Sequence, residues 1–69
     1  MKISARNNFS GTVKKIVKGP VSAEVTVTIG TGIDVVAVIS TMSADDLKLA
    51  VGKPAKVLIK ASSVLVAVD

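Results

Sequence analysis

Val21-Ser22-Ala23-Glu24-Val25-Thr26-Val27-Thr28-Ile29 alternates more cleanly than any other part of the chain. Ala23, Val25, Val27 and Ile29 fall on one face, and Ser22, Glu24, Thr26 and Thr28 on the other. A period of two with one polar face is the pattern of a strand with one side in the core and one in water. Gly30-Thr31-Gly32 then reads as the close of a hairpin. Residues 34–41 follow as a third strand. Its two faces, Val35, Ala37, Ile39 and Val36, Val38, Ser40, are both largely apolar, which places it centrally or at a subunit contact.

Outward from this hairpin the chain stays β-rich. Residues 9–18 read as a first strand, with Gly11 allowing a bend or bulge. Gly19-Pro20 is a turn. Residues 43–50 carry the one helical signal. Ser43 suits the N-cap, and Asp45 and Asp46 suit the positive end of the helix dipole. An acidic metal site is the competing reading of that pair, but aspartates in a first turn are ordinary capping residues. Gly52-Lys53-Pro54 ends the segment. Residues 55–60 form a fourth strand and residues 64–68 a fifth. The fifth has no charge and no turn former, so burial on both faces is expected. Three strands, a short helix and two more strands fit an all-β class: a five-stranded Greek-key barrel of the OB type, as one domain over residues 1–69.

Size and composition add a constraint. A chain of 69 residues buries only about 60% of its unfolded surface and is marginal alone. It has no Cys for a disulfide and no His for a metal site, so oligomerisation is the remaining staple. The apolar share is 49%, with thirteen valines and a single aromatic residue, Phe9. Such a surplus on a short β chain implies that another subunit covers part of it. The net charge of +4 favours anionic partners or simply keeps the protein soluble. No 18-residue apolar stretch is present, and the N-terminus turns polar early. A cytoplasmic protein without a membrane partner is therefore expected.

The chemistry-bearing residues are few, and an enzyme is not expected. A Ser–Lys dyad of Lys60 and Ser62 is formally possible, but nothing supplies a substrate pocket. Gly30-Thr31-Gly32 lacks the spacing of a phosphate loop. A barrel binding single-stranded nucleic acid is the alternative function, but such platforms stack bases on aromatic rings. Phe9 is the only ring here, with no Trp and no Tyr. A compact anion remains. Arg6 offers a planar fork, Lys60 a mobile ammonium, and Ser4 and Ser62 hydroxyl protons. Small Ala5 and Ala61 leave room for backbone N–H groups to approach a ligand, and neither segment contains a carboxylate. From spacing alone, Arg6 and Lys60 read first as ordinary surface charges.

The two segments, Ile3-Ser4-Ala5-Arg6-Asn7 and Ile59-Lys60-Ala61-Ser62-Ser63-Val64, stand near the two ends of the chain. Between them lie Gly11-Thr12-Val13, Gly19, Ala23-Glu24-Val25, Thr41, Ser43, Leu47, Leu49 and Gly52. In this text the chain resembles the molbindins, the small molybdate-binding proteins of the Mop family. The resemblance extends to the C-terminal domains of molybdate-responsive regulators and of molybdate transporter ATPases. It implies OB-like barrels assembled as a homohexamer, a trimer of dimers, with molybdate or tungstate held between subunits for intracellular storage or homeostasis. Carried over residue by residue, it implies Ser4, Arg6, Lys60 and Ser62 as ligands and Ala5 and Ala61 as backbone donors. Thr41, Val21 and Ser22 are implied as further neighbours.

Overall fold

A computed structural model describes residues 1–69. Four strands form one antiparallel sheet: β1 (Asn7–Lys18), β2 (Ser22–Gly30), β3 (Ile33–Ser40) and β4 (Pro54–Ile59), in the order β3-β2-β1-β4. A short helix, α1 (Thr41–Asp46), joins β3 to the segment leading into β4, and a single 3-10 turn, Ala61–Ser63, follows β4.

The alternation of β2 sorts its side chains as its sequence demands. Ala23, Val25 and Val27 are buried, while Ser22 and Glu24 are exposed. Val13 of β1 and Val57 of β4 complete the central cluster with Val25 and Val27. Ile16, Ile29, Val35, Ile39, Leu49 and Ile59 pack partly buried around it. The hairpin closes through Thr31-Gly32, with Gly32 at φ +72°.

Several expectations are corrected. The fifth strand is absent: residues 64–69 have no ladder partner, and Leu65, Val66 and Val68 are about nine-tenths exposed, at 93%, 90% and 93%. The sheet therefore stays open rather than closing as a five-stranded barrel. The 3-10 turn Ala61–Ser63 interrupts the extended run after β4, and neither sheet edge, β3 or β4, takes up the residues that follow it. β3 is not central. It lies at an edge, and Val36 and Val38 are exposed. The bulge of β1 sits at Lys14, between the pairs Val13↔Val27 and Lys15↔Thr26, and not at Gly11. Gly11 serves a closer purpose, since a Cβ there would stand 2.4 Å from the Thr28 carbonyl oxygen.

The helix begins earlier than its acidic pair suggested. Ser40, not Ser43, is the N-cap, and its Oγ accepts the Ser43 N–H at 2.9 Å. Asp45 and Asp46 thus lie in the last turn. Asp45 accepts a bond from Lys18 Nζ, a surface pair of little energetic weight. The helix ends at Asp46, with Leu47 as its C-cap, rather than at Gly52. Lys48 N–H donates to Asp45 O and Leu49 N–H to Ala44 O, a Schellman closure with Lys48 at φ +53°. A left-handed lysine costs about 1–2 kcal/mol that glycine avoids. Lys48→Gly also loosens the unfolded chain by about 0.5–1 kcal/mol. The variant is expected to gain roughly 0.5–1 kcal/mol, readable as a rise of a few degrees in Tm.

On the outer face, Thr28 and Asp34 are cross-strand partners. The Lys14 bulge brings its ammonium to the same carboxylate. Lys14 Nζ donates to Asp34 Oδ2 and Thr28 Oγ1 to Oδ1, both at 2.7 Å. The Lys14 bond, and then the Thr28 bond, hold the Asp34 carboxyl below its ordinary value of 3.8. Because the folded value is depressed, the contribution is complete above that ordinary value and is lost as pH falls through the lowered one. An NMR titration of the Asp34 carboxyl should give a low midpoint that Lys14→Met raises more than Thr28→Val does.

Candidate functional site

The last register pair of β1 and β4 is Asn7↔Ile59. Beyond it the two chains part, one toward Arg6 and the other toward Lys60. A groove of about 520 Å³ opens between them, lined by Ile3, Ser4, Ala5, Arg6, Leu58, Lys60 and Ala61. Two segments more than fifty residues apart in sequence thus meet because β1 and β4 are neighbours. Five of the six principal site residues line the groove. Ser62, the sixth, is exposed in the 3-10 turn directly after Ala61.

Both segments keep their donors available. The N–H groups of Ser4, Ala5, Arg6, Ala61 and Ser62 donate to no backbone oxygen of the chain. The two ion pairs of the protein are Lys14–Asp34 and Lys18–Asp45, so neither Arg6 nor Lys60 has a carboxylate partner. No carboxylate lines the groove. Two unpaired cations, small side chains and free N–H groups are the donor set that a desolvated anion requires, since every oxygen stripped of water needs a replacement bond. No three carboxylates, imidazoles or thiols come together, so the chain offers no ligand cluster for a bare metal ion.

The other three residues lie elsewhere. Ser22 pairs with Ser40, Thr41 N–H donates to Val21 O at 2.9 Å, and Thr41 Oγ1 donates to Gly19 O at 2.7 Å. This cluster sits beyond the Lys18 end of β1, whereas the groove sits beyond the Asn7 end. Twelve strand residues separate them, roughly 35–40 Å at the usual rise, in a molecule 37 Å in its longest dimension. Within one chain Val21, Ser22 and Thr41 do not reach the groove. The Thr41 hydroxyl proton is also already committed to Gly19.

Sequence reading missed Ile3 and Leu58, the apolar walls of the groove, and Asn7, whose side chain bonds to Ile59 O. Asn7 was legible as part of a quoted segment, but only the strand pairing shows what it touches.

A family model for the TOBE domain matches residues 3–66. A probable molybdenum-pterin-binding protein of Haemophilus influenzae is 45% identical over 69 residues, the whole of both chains. The chain belongs to the TOBE-domain family, as a molbindin of the Mop type. Molybdenum-pterin-binding protein 3 of Clostridium pasteurianum is 39% identical over 66 residues, covering 96% of this chain and 97% of its own. The molybdenum transport protein ModE of Herbaspirillum seropedicae is 46% identical over 69 residues, and this molbindin spans only 26% of its length. Among solved structures, MopII of Clostridium pasteurianum in an apo form superposes with a TM-score of 0.91 at 33% identity, over 97% of this chain and 100% of the other. A molybdate-binding protein of Sporomusa ovata superposes at 0.90 with 42% identity, over 97% and 98%. These relatives are named for binding or transport, and none for a catalysed reaction. No helix of this molbindin is long and apolar enough to cross a membrane.

Proposed function

We propose that this chain binds molybdate, and tungstate of the same charge and shape, in sites completed by neighbouring copies of itself. The observation that carries the reading is the junction of Ser4-Ala5-Arg6 with Lys60-Ala61 in one groove whose cations and N–H groups have no partner in the chain. Ser4, Arg6, Lys60 and Ser62 donate from side chains, and Ala5 and Ala61 from the backbone. The names of the relatives point the same way.

The groove is too open to desolvate a four-oxygen anion by itself, and a second subunit supplies the missing wall. Val21 and Ser22, out of reach within their own chain, are candidates for that wall, with Thr41 bracing their turn through Gly19 and Val21. The exposed residues 64–68 support assembly from another direction. They are strand-like, apolar and unpaired, and both sheet edges, β3 and β4, flank an apolar trough of about 220 Å³. Six such chains in a trimer of dimers give the arrangement that the resemblance implies. The role is that of a cytoplasmic store or buffer, in keeping with a similar protein described as the cytoplasmic molybdate-binding protein ModG. Because the anion binds only the assembled form, it stabilises the oligomer by mass action.

Native mass spectrometry with and without molybdate tests both halves at once, reporting subunit and anion counts together. An oligomer that gains a fixed number of anions supports the reading. A monomer that takes the anion at full strength refutes the shared site. Calorimetry should rank molybdate and tungstate above sulfate. Singly protonated phosphate should rank last, because its proton needs an acceptor that no carboxylate of the groove supplies.

A further inference from the structure

Arg6 and Lys60 belong to separate, exposed segments, yet an anion that uses both needs them at one spacing. Neither residue is in a strand, and neither has a side-chain partner that would hold it. In the empty groove the two positive charges repel each other, which favours a wider opening. The last feature that fixes the distance between the segments is the pair Asn7↔Ile59, whose members adjoin Arg6 and Lys60 in the chain.

At that pair the backbone ladder is reinforced by a side chain. Asn7 Nδ2 donates to the Ile59 carbonyl oxygen at 3.2 Å, from a half-buried position. It is the only side-chain hydrogen bond between β1 and β4, and it joins the first residue of one to the last residue of the other. The other side-chain bonds lie at the β1–β3 face, at α1 and at the Gly19 turn. The bond falls where the strands diverge, so it resists the splaying that would carry Arg6 away from Lys60. Its chemistry also suits an anion site. A primary amide donates a hydrogen bond without charge, so the positive balance of the groove is left whole. A carboxylate of the same shape would lack the donor, meet the carbonyl dipole unfavourably and compete with the anion for Arg6 and Lys60.

We infer that Asn7 is the positioning residue of this site, clamping β1 to β4 through Ile59 O so that Arg6 and Lys60 stand at the spacing of one oxyanion. The inference rests on the oxyanion reading proposed above. Supporting groups behind a ligand shell commonly change affinity by 10- to 100-fold. Asn7→Ala is therefore expected to weaken molybdate binding about 10-fold. Because spacing sets which anion fits, the preference for molybdate over sulfate should narrow as well. Asn7→Asp should bind more weakly than Asn7→Ala, since it adds a like charge beside the anion. Asn7→Thr keeps a strand-forming residue at the start of β1, with a hydroxyl too short to cross to Ile59 O, and should behave as Asn7→Ala does.

The test is calorimetric titration of each full-length variant with molybdate and with sulfate, beside the melting curve of the ligand-free protein. Gly32→Ala is the control. It strains the β2–β3 hairpin and lowers stability away from both the groove and the Val21-Ser22-Thr41 cluster, and it should keep native affinity and selectivity. Weaker binding and narrowed selectivity in folded Asn7→Ala or Asn7→Thr, with Gly32→Ala native, support the clamp. Native affinity and selectivity in either folded Asn7 variant overturn the clamp alone. A native chain that takes no molybdate overturns the oxyanion reading and the clamp together.

Discussion

Arg6→Ala is expected to weaken the proposed molybdate binding by roughly 10- to 150-fold, the equivalent of about 1.5–3 kcal/mol for hydrogen bonds to a charged group. The upper end applies if the guanidinium grips two oxygens at once. Lys60→Ala falls in the same range, toward its lower end, because an ammonium acts as a point charge without the planar fork. Arg6→Lys is not conservative here for the same reason. In the ligand-free protein both side chains are exposed and unpaired, so each variant should melt within about 0.5 kcal/mol of the native chain. The contrast makes a thermal assay decisive. At a molybdate concentration of about 100 times Kd the native protein gains about 2.7 kcal/mol; about half of that gain disappears after a 10-fold weakening and about nine-tenths after a 150-fold one, so Arg6→Ala should lose more of it than Lys60→Ala. A full molybdate-dependent shift in both would remove these residues from the site.

Gly11→Ala is expected to lose about 3 kcal/mol or more, or to give no cooperative unfolding transition at all. A Cβ at Gly11 meets the Thr28 carbonyl oxygen at 2.4 Å, Val27 Cγ1 at 2.9 Å and Ile29 Cγ2 at 3.1 Å. The nearest of these is backbone of a paired strand and has no rotamer to retreat to. β1 cannot shift away either, because β4 holds its other side through Gly11↔Ala55. A chain of this length has only about 3–10 kcal/mol in total. Gly32→Ala is the informative contrast. Nothing lies within 4 Å of its new Cβ, so the loss there, about 1–2 kcal/mol, comes from φ +72° alone. Urea denaturation of the two variants separates crowding from conformation. Equal losses would show that Gly11 is not held against Thr28 as described.

Much of this protein is legible wherever the cause is local. The alternation from Ala23 to Ile29 needs no neighbour to declare its buried face, and Thr31-Gly32 makes a tight turn through its own backbone. A helix was readable over residues 43–50, but its actual ends, Thr41 and Asp46, were not. Ser40 and Ser43 are both able to cap, and the choice depends on where β3 stops pairing with β2 at Ser22↔Ser40. Residues 64–68 show the limit from another side. Five apolar residues announce a strand, but they carry no information on whether its partner is the same chain or another.

What the sequence alone determined is chemical: a β-rich chain, too small and too apolar to be comfortable alone, with the cations and hydroxyls proposed to bind an anion gathered in two carboxylate-free segments. Side-chain identity and period two suffice for that, because they act within a few residues. Only the tertiary structure decided that β4 lies beside β1, and with it that Arg6 and Lys60 face one groove while Val21, Ser22 and Thr41 sit at the far end. Strand order is settled by which apolar faces cover one another, and that balance is summed over the whole sheet, beyond the reach of any single segment.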